Sequence, residues 1–209
     1  MGQKIIGVTL NPDWKMDARI TSMVEYWDRD EDKESHYIPA ECPANGRDAI
    51  VFNAMYRIPK PTHILFLDAD VLPRRNTLKR LLDHDKDIIT GVYNIGQQGK
   101  LYWNVSKSDT FNAIELEELP DNPFKVTLCG NGVMLVKTEV FERLEWPYWE
   151  NIRSPGCIKQ GEDLYFCKKA RDAGYDIWCD PKVKCNHVRM SGLLSIANEQ
   201  SKLTKGVKK

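Results

Sequence analysis

The stretch Thr62-His63-Ile64-Leu65-Phe66-Leu67-Asp68-Ala69-Asp70-Val71-Leu72-Pro73 limits the folds open to this chain more than any other. A short run this apolar reads as a strand covered on both faces, as in a parallel sheet flanked by helices. It ends in two acids one residue apart. In an extended chain residues i and i+2 point the same way, so the carboxylates of Asp68 and Asp70 can converge beyond the strand end, where open α/β sheets bind ligands. Two such oxygen donors suit a hard divalent cation, Mg²⁺ or Mn²⁺, which keeps coordination positions for phosphate oxygens. A solvated turn explains the same pattern, since Asp is a common turn residue, so the rest of the chain has to decide.

The flanking segments supply the alternation that such a sheet needs. Lys4 to Leu10 reads as a first buried strand closed by the turn signal Asn11-Pro12. Asp17 to Lys33 carries Ile20, Met23, Val24 and Trp27 at helical spacing, and His36 to Pro39 is a short second strand. Ala44-Asn45-Gly46-Arg47 is expected to break the chain before a helix with Ile50, Val51, Ala54 and Met55 on its apolar face, which Pro59 and Pro61 then stop. Strand, helix, strand, helix, strand is the order of a nucleotide-binding α/β half. Asn76 to Asp83 is a compact amphipathic helix, and Asp87 to Tyr93 another strand.

From Asn94 to Phe124 the pattern becomes irregular, with a strand-like piece at Leu101 to Val105 and an acidic loop from Glu115 to Asp121. A substrate-facing hairpin and flap, or a plain surface hairpin, fits this equally. Val126 to Lys137 reads as an apolar strand pair broken by Gly130-Asn131-Gly132, where glycines allow close backbone approach. Thr138 is placed as the cap of a short helix carrying Val140, Phe141 and Leu144.

A second acidic site follows. Gly161-Glu162-Asp163 opens a helix that ends in basic residues and the stop Gly174. Acids in a first turn are favoured by the helix dipole alone; the functional reading makes one of them a general base facing the metal across a pocket. Tyr175 to Cys179 is a strand, Asp180-Pro181 a turn, and Val183 to Val188 a strand from which His187 emerges as a candidate imidazole ligand.

Composition excludes several classes. With 30 basic and 30 acidic residues the net charge is +0, so no global field draws in nucleic acid or an anionic membrane. No apolar run spans a bilayer and the start lacks a signal-peptide pattern, so the expected location is cytoplasmic. At 209 residues with 42% hydrophobic content, one domain is favoured. The six cysteines form no Cys-x-x-Cys pair, so free thiols are expected rather than disulfides, and a zinc site from Cys167, Cys179, Cys185 and His187 matches no familiar closed spacing.

Taken in order, Asp68-Ala69-Asp70, Gly161-Glu162-Asp163-Leu164 and the run from Ala173-Gly174-Tyr175 through Asp180-Pro181 to His187 resemble a nucleotide-sugar-dependent glycosyltransferase of the A-type fold, closest to the family 2 group. Gly130 to Lys137, followed by Val140-Phe141, is similar to that family's acceptor-side strand, and Gly46-Arg47-Asp48-Ala49 fits before the acidic strand. The resemblance implies a Rossmann-like, mostly parallel central sheet with an acceptor-side antiparallel hairpin. It implies a single catalytic domain over 1–188, with a nucleotide-sugar half at 1–93, an acceptor half at 94–188 and a tail at 189–209. Asp70 and His187 would ligate the cation, and Asp68 would contact ribose or hold the metal through water. Asp163 would be the base, with Glu162 orienting the acceptor. Thr9, Asn11, Glu41, Arg47 and Ala69 would meet the nucleotide part of the donor. Many members have an Asp near Glu41, so the base, uridine favoured over guanosine, is not fixed.

The implied activity is hexosyl transfer from a UDP-sugar to a hydroxyl of a glycan, lipid, protein or modified nucleic-acid base, with inversion favoured. The tail, with Leu193, Leu194 and Ile196 before four lysines, reads as a frayed terminus or a weak membrane anchor. Two rivals stand beside this reading. One is a haloacid-dehalogenase-type phosphohydrolase, which expects Thr or Val where this chain has Leu72 and its Asp-x-Asp on the first strand; the other is a non-catalytic nucleotide-sugar binding module.

Overall fold

Helix and strand alternate through the first part of the chain, as the hydrophobic periods require: β1 (Lys4–Leu10), α1 (Ala18–Asp28), β2 (Lys33–Pro39), α2 (Pro43–Met55) and β3 (His63–Asp68). Next come β4 (Val71–Leu72), α3 (Thr77–Asp83) and β5 (Ile88–Val92). A strand-rich stretch follows, with β6 (Asn94–Gln97), β7 (Lys100–Ser106), β8 (Ala113–Glu115), β9 (Phe124–Val126), β10 (Leu128–Cys129) and β11 (Val133–Lys137). The chain continues through α4 (Thr138–Arg143), β12 (Ile152–Ser154), β13 (Cys157–Gln160), α5 (Glu162–Asp172), β14 (Ile177–Lys184) and β15 (Asn186–His187). This computed structural model describes residues 4–10, 18–28, 33–39, 42–97, 100–110 and 112–188.

Seven strands form the central sheet in the order β2-β1-β3-β11-β5-β14-β9. β2, β1, β3, β5 and β14 run one way, and β11 and β9 are reversed. β6 and β7 make an antiparallel hairpin extended by β8 and β10, the second sheet expected on the acceptor side. The apolar run of β3 is covered on both faces, with Ile64, Leu65, Phe66 and Leu67 each at 0% exposure. Strand alternation splits it. Ile64 and Phe66 join Ile50, Val51 and Ala54 of α2 and Phe166 of α5, while Leu65 and Leu67 join Ile20 and Val24 of α1 and Leu78 and Leu81 of α3. Each such side chain contributes about 1.5–3 kcal/mol on leaving water. Trp149 lies against Phe166 with ring centroids 4.6 Å apart and planes at 11°, which locks the loop before α5 onto that helix.

The C-terminus of α5 closes as its sequence suggests. Gly174 takes φ +90°, its N–H bonds Arg171 O at 2.9 Å, and Tyr175 N–H bonds Ala170 O at 3.0 Å. This Schellman pair needs a left-handed residue, which glycine adopts without steric cost.

Four local expectations change. Ala44-Asn45-Gly46-Arg47 does not break the chain; it lies in the first turns of α2, which starts at Pro43, where the fixed φ of proline suits the first helical position. β9 and β10 do not pair with each other or with β11 as a hairpin: β9 joins β14 and β10 joins β7, because the chain crosses between sheets at Thr127. Lys137, not Thr138, holds the cap position of α4, and the Thr138 hydroxyl instead donates to Pro61 O at 2.6 Å. Asp180-Pro181 is not a turn but lies inside β14, at a register shift against β5.

Asp180 explains that last change. At 0% exposure its carboxylate accepts Arg80 Nε at 2.5 Å, lies 2.8 Å from His84 Nε2 and accepts Lys182 N–H at 2.9 Å. Burial alone would raise its pKa, yet the His84, Lys182 and Arg80 contacts outweigh burial and hold it below the ordinary value. The acid ties α3 to β14. Asp180→Ala is expected to destabilise the fold by about 2–4 kcal/mol at neutral pH, the range reduced because Arg80 is one-third exposed. A depressed acid stabilises above its unfolded pKa and loses that contribution as pH falls through its folded value. Urea melts should therefore show the variant's deficit shrinking in strong acid.

Candidate active site

The acidic strand and the acidic helix meet around one arginine. Asp68 is the last residue of β3, and Arg47 projects from the first turns of α2 at 1% exposure. Arg47 Nη2 donates to Asp68 Oδ1 at 2.8 Å and Nη1 to Asp163 Oδ1 at 2.8 Å, with Glu162 Oε1 at 3.5 Å. Burial opposes a charged guanidinium, but Asp68, Asp163 and Glu162 together hold it more firmly protonated than usual. Arg47 Nε has no hydrogen-bond partner among the described residues. The guanidinium that the sequence offered to a base or phosphate is thus turned to carboxylates.

Asp163 sits in the first turn of α5 with its side chain 28% exposed. Desolvation pushes its pKa up to about 6; Glu162 and Asp68 push the same way, and Arg47 and the Asn131 N–H pull back. The Gly130-Asn131-Gly132 segment thereby touches both acids, since Asp68 N–H bonds Gly132 O at 3.0 Å. A Cβ on Gly132 would fall 2.9 Å from Asp68 Oδ2 and 3.0 Å from the Tyr93 ring, so a side chain there would have to displace the Asp68 carboxylate or the tyrosine. Tyr93, just beyond β5, accepts the Gly132 N–H on its hydroxyl at 3.2 Å and sets its ring edge-on to His187, centroids 5.4 Å apart. Sequence reasoning missed Tyr93; its one signal was an aromatic ending a buried strand at the same edge of the sheet.

Asp70 does not continue β3. It lies in the turn to β4, and the two acids diverge: Asp68 faces Arg47, while Asp70 Oδ2 is 3.5 Å from His187 Nε2. The short β4–β15 pair sets this meeting by placing His187 opposite Val71, and Val188 N–H bonds Asp70 O at 2.8 Å. His187 Nδ1 donates to Asn94 O at 2.9 Å, which in the neutral ring leaves the lone pair on Nε2, beside Asp70. Burial disfavours the imidazolium, but hydrogen bonds to Asp70 and Asn94 O and the charges of Asp70 and Asp68 raise the pKa overall. Asp70 and His187 therefore fit a divalent cation as a carboxylate and imidazole pair with an oriented tautomer. Among the described residues no group of three acid, His or Cys side chains is gathered for a metal.

Thr9 lies beside Asp68 in the β1–β3 register, at the same sheet edge. Ala69 is buried in the α1 layer at 4% exposure. Asn11 and Glu41 lie outside the described residues, as does the tail 189–209. The imagined zinc set is dispersed: Cys167 packs against Cys129 with sulfurs 3.7 Å apart, while Cys185 belongs to the opposite face of the sheet. A cavity of 280 Å³ opens in front of Asp163, walled by Tyr93, Ile95, Asn104, Gly130 and Leu164.

No protein-family model matches the chain, and comparison with curated proteins finds no match. Solved structures do resemble it. A197 from STIV aligns at a TM-score of 0.63 and 16% identity over 88% of this chain and 85% of that one. S. aureus TarS 1-349 aligns at 0.50 and 13% identity over 91% of this chain and 61% of that one. At such identities the likeness is one of fold, and the fold is the A-type glycosyltransferase architecture expected from the sequence. Among the described residues no helix is long and apolar enough to cross a membrane.

Arg47→Met keeps the side-chain volume and leaves Asp68, Glu162 and Asp163 facing one another without their cation. A loss of about 3–5 kcal/mol at pH 7.5 is expected. The acids of the variant would carry raised folded pKa values, a penalty fully present when they are charged and removed as they protonate. Denaturation from pH 7.5 to 4.5 should show the gap to wild type narrowing as pH falls.

Proposed function

We propose that this chain is a metal-dependent glycosyltransferase that passes a hexosyl unit from a nucleoside-diphosphate sugar, a UDP-sugar favoured, to a hydroxyl acceptor with inversion. The observation that carries the reading is the meeting of Asp68, Asp163 and Arg47 at one sheet edge, with Asp70 and His187 paired beside them. Among the described residues the carboxylates of Asp68, Glu162 and Asp163 outnumber the guanidinium they share, so a diphosphate brought beside them is repelled unless a cation bridges it. Asp70 and His187 would hold that cation, Mn²⁺ or Mg²⁺, which when bound supplies Lewis-acid neutralisation of the departing nucleoside diphosphate.

The protein's own groups then divide the work. Asp68, fixed by Arg47 on one oxygen, keeps the other for the donor ribose or a metal-bound water. Thr9 and the backbone at Ala69 lie where the nucleotide would rest. Asp163 takes the proton of the acceptor hydroxyl as that oxygen bonds the anomeric carbon and the bond to the diphosphate oxygen breaks. Glu162 orients the acceptor, which enters by the cavity in front of α5. Inversion follows from a base on the face opposite the leaving group.

Asp163 works as a carboxylate, so its elevated pKa sets the pH limb. With saturating Mn²⁺, kcat/KM should rise about tenfold per pH unit below about 6 and level off above. Asp163→Asn should lower transfer by about 100- to 10,000-fold without weakening binding of the nucleotide. Asp70→Asn should weaken Mn²⁺-dependent thermal stabilisation by UDP. A screen of UDP-, GDP- and CDP-sugars that shows neither donor cleavage nor stabilisation with Mn²⁺ would sink the reading.

A further inference from the structure

We propose that the 480 Å³ cavity between the first turns of α2 and the segment 146–153 is a second saccharide subsite, holding a neutral sugar unit of an oligosaccharide acceptor whose reacting end lies at Asp163. Its role as an acceptor subsite rests on the glycosyl-transfer reading; its capacity to bind saccharide does not.

The cavity combines a fixed aromatic face with unpaired polar groups. Trp146 is 73% exposed, and its indole lies beside the Asp48 carboxylate. The Asp48 carboxylate accepts the N–H groups of Tyr148 at 3.2 Å and Trp149 at 3.3 Å, so the loop carrying the indole is stapled to α2. The loop is anchored while the indole stays largely in water. A planar apolar surface of this kind suits the C–H face of a pyranose, which an ordered indole binds with little loss of side-chain entropy.

Around the ring stand Asn45, Glu150, Asn151 and Arg153. Among the described residues the side-chain amides of Asn45 and Asn151 have no hydrogen-bond partner, and each offers two donors and an acceptor. Sugar hydroxyls, which both donate and accept, match that mixture. Among the described residues Asp48 and Glu150 are matched by Arg153 and by Lys169, whose Nζ donates to Pro147 O at 2.8 Å, so the cavity has no cationic surplus to select an anionic polymer. One helix serves both places: Arg47 of α2 joins the acid cluster, and Asp48, the next residue, lines this cavity. Binding a remote sugar unit here would supply energy that orients the reacting end.

The test uses the full chain without donor nucleotide. A glycan array carrying neutral and anionic glycans identifies retained structures, and saturation-transfer NMR then measures affinity for chitotetraose, cellotetraose and maltotetraose beside a single-stranded oligonucleotide. The expected result is retention of neutral glycans, with affinity lowered about tenfold by Trp146→Ala, lowered also by Asn151→Leu, and largely kept by Trp146→Tyr. No retained glycan, equal binding by Trp146→Ala, or preference for the oligonucleotide overturns the proposal. Glycan binding through Trp146 with no transfer from any donor would instead overturn the transfer reading and leave this site standing. Transfer to short acceptors with no glycan binding does the reverse.

Discussion

One buried guanidinium fixes the geometry on which this structure's chemistry depends. Arg47 holds Asp68 at the end of β3 and Asp163 at the start of α5, a residue 116 positions further along the chain. Each partner needs the other. A lone guanidinium at 1% exposure would lose several kcal/mol of hydration, and three acids this close would repel one another into protonation. The balance is incomplete: burial, with Glu162 and Asp68 pushing the same way, outweighs the pull of Arg47 and keeps Asp163 near a pKa of about 6.

The first turns of α2 organise two surfaces through adjacent residues. Arg47 turns inward to the acids, and Asp48 accepts backbone N–H groups from the loop that carries Trp146 and Trp149. Trp149 in turn stacks on Phe166 of α5, the helix that begins with Glu162 and Asp163. A displacement of α2 would therefore reach Asp163, the cavity beside Asp48 and the exposed indole together. On the other side of the site, Tyr93 couples the glycine-rich segment to His187, so the acid cluster and the Asp70–His187 pair are joined by packing rather than by a shared ligand.

Much of this was legible before any coordinates. The run from Ile64 to Leu67 was too apolar and too short to be anything but a strand covered twice, and Gly174 marked the end of α5 because only a left-handed residue closes that turn. Asp68, Glu162, Asp163 and His187 were singled out by their places at element ends, and the structure brings them to one edge of the sheet. Arg47 was noticed as a cation able to reach a base or phosphate, and nothing local reveals that acids distant in sequence take its two terminal nitrogens. Asp180 misled for the same reason, since Asp-Pro is a turn signal until Arg80 and His84 make burial of the acid favourable. Tyr93 carried only one faint signal, an aromatic at the end of a buried strand.

The sequence by itself determined the alternation of elements, the buried central strand and the identity of the groups able to do chemistry, because hydrophobic period, turn residues and side-chain type are local properties. Tertiary structure alone decided how those groups are partnered. Asp68 and Asp70, two residues apart, serve different neighbours because the strand ends between them, and Arg47 faces acids because helix packing carries it there. Those outcomes follow from burial and Coulomb interaction between residues far apart in the chain, quantities that have no value until the sheet has assembled.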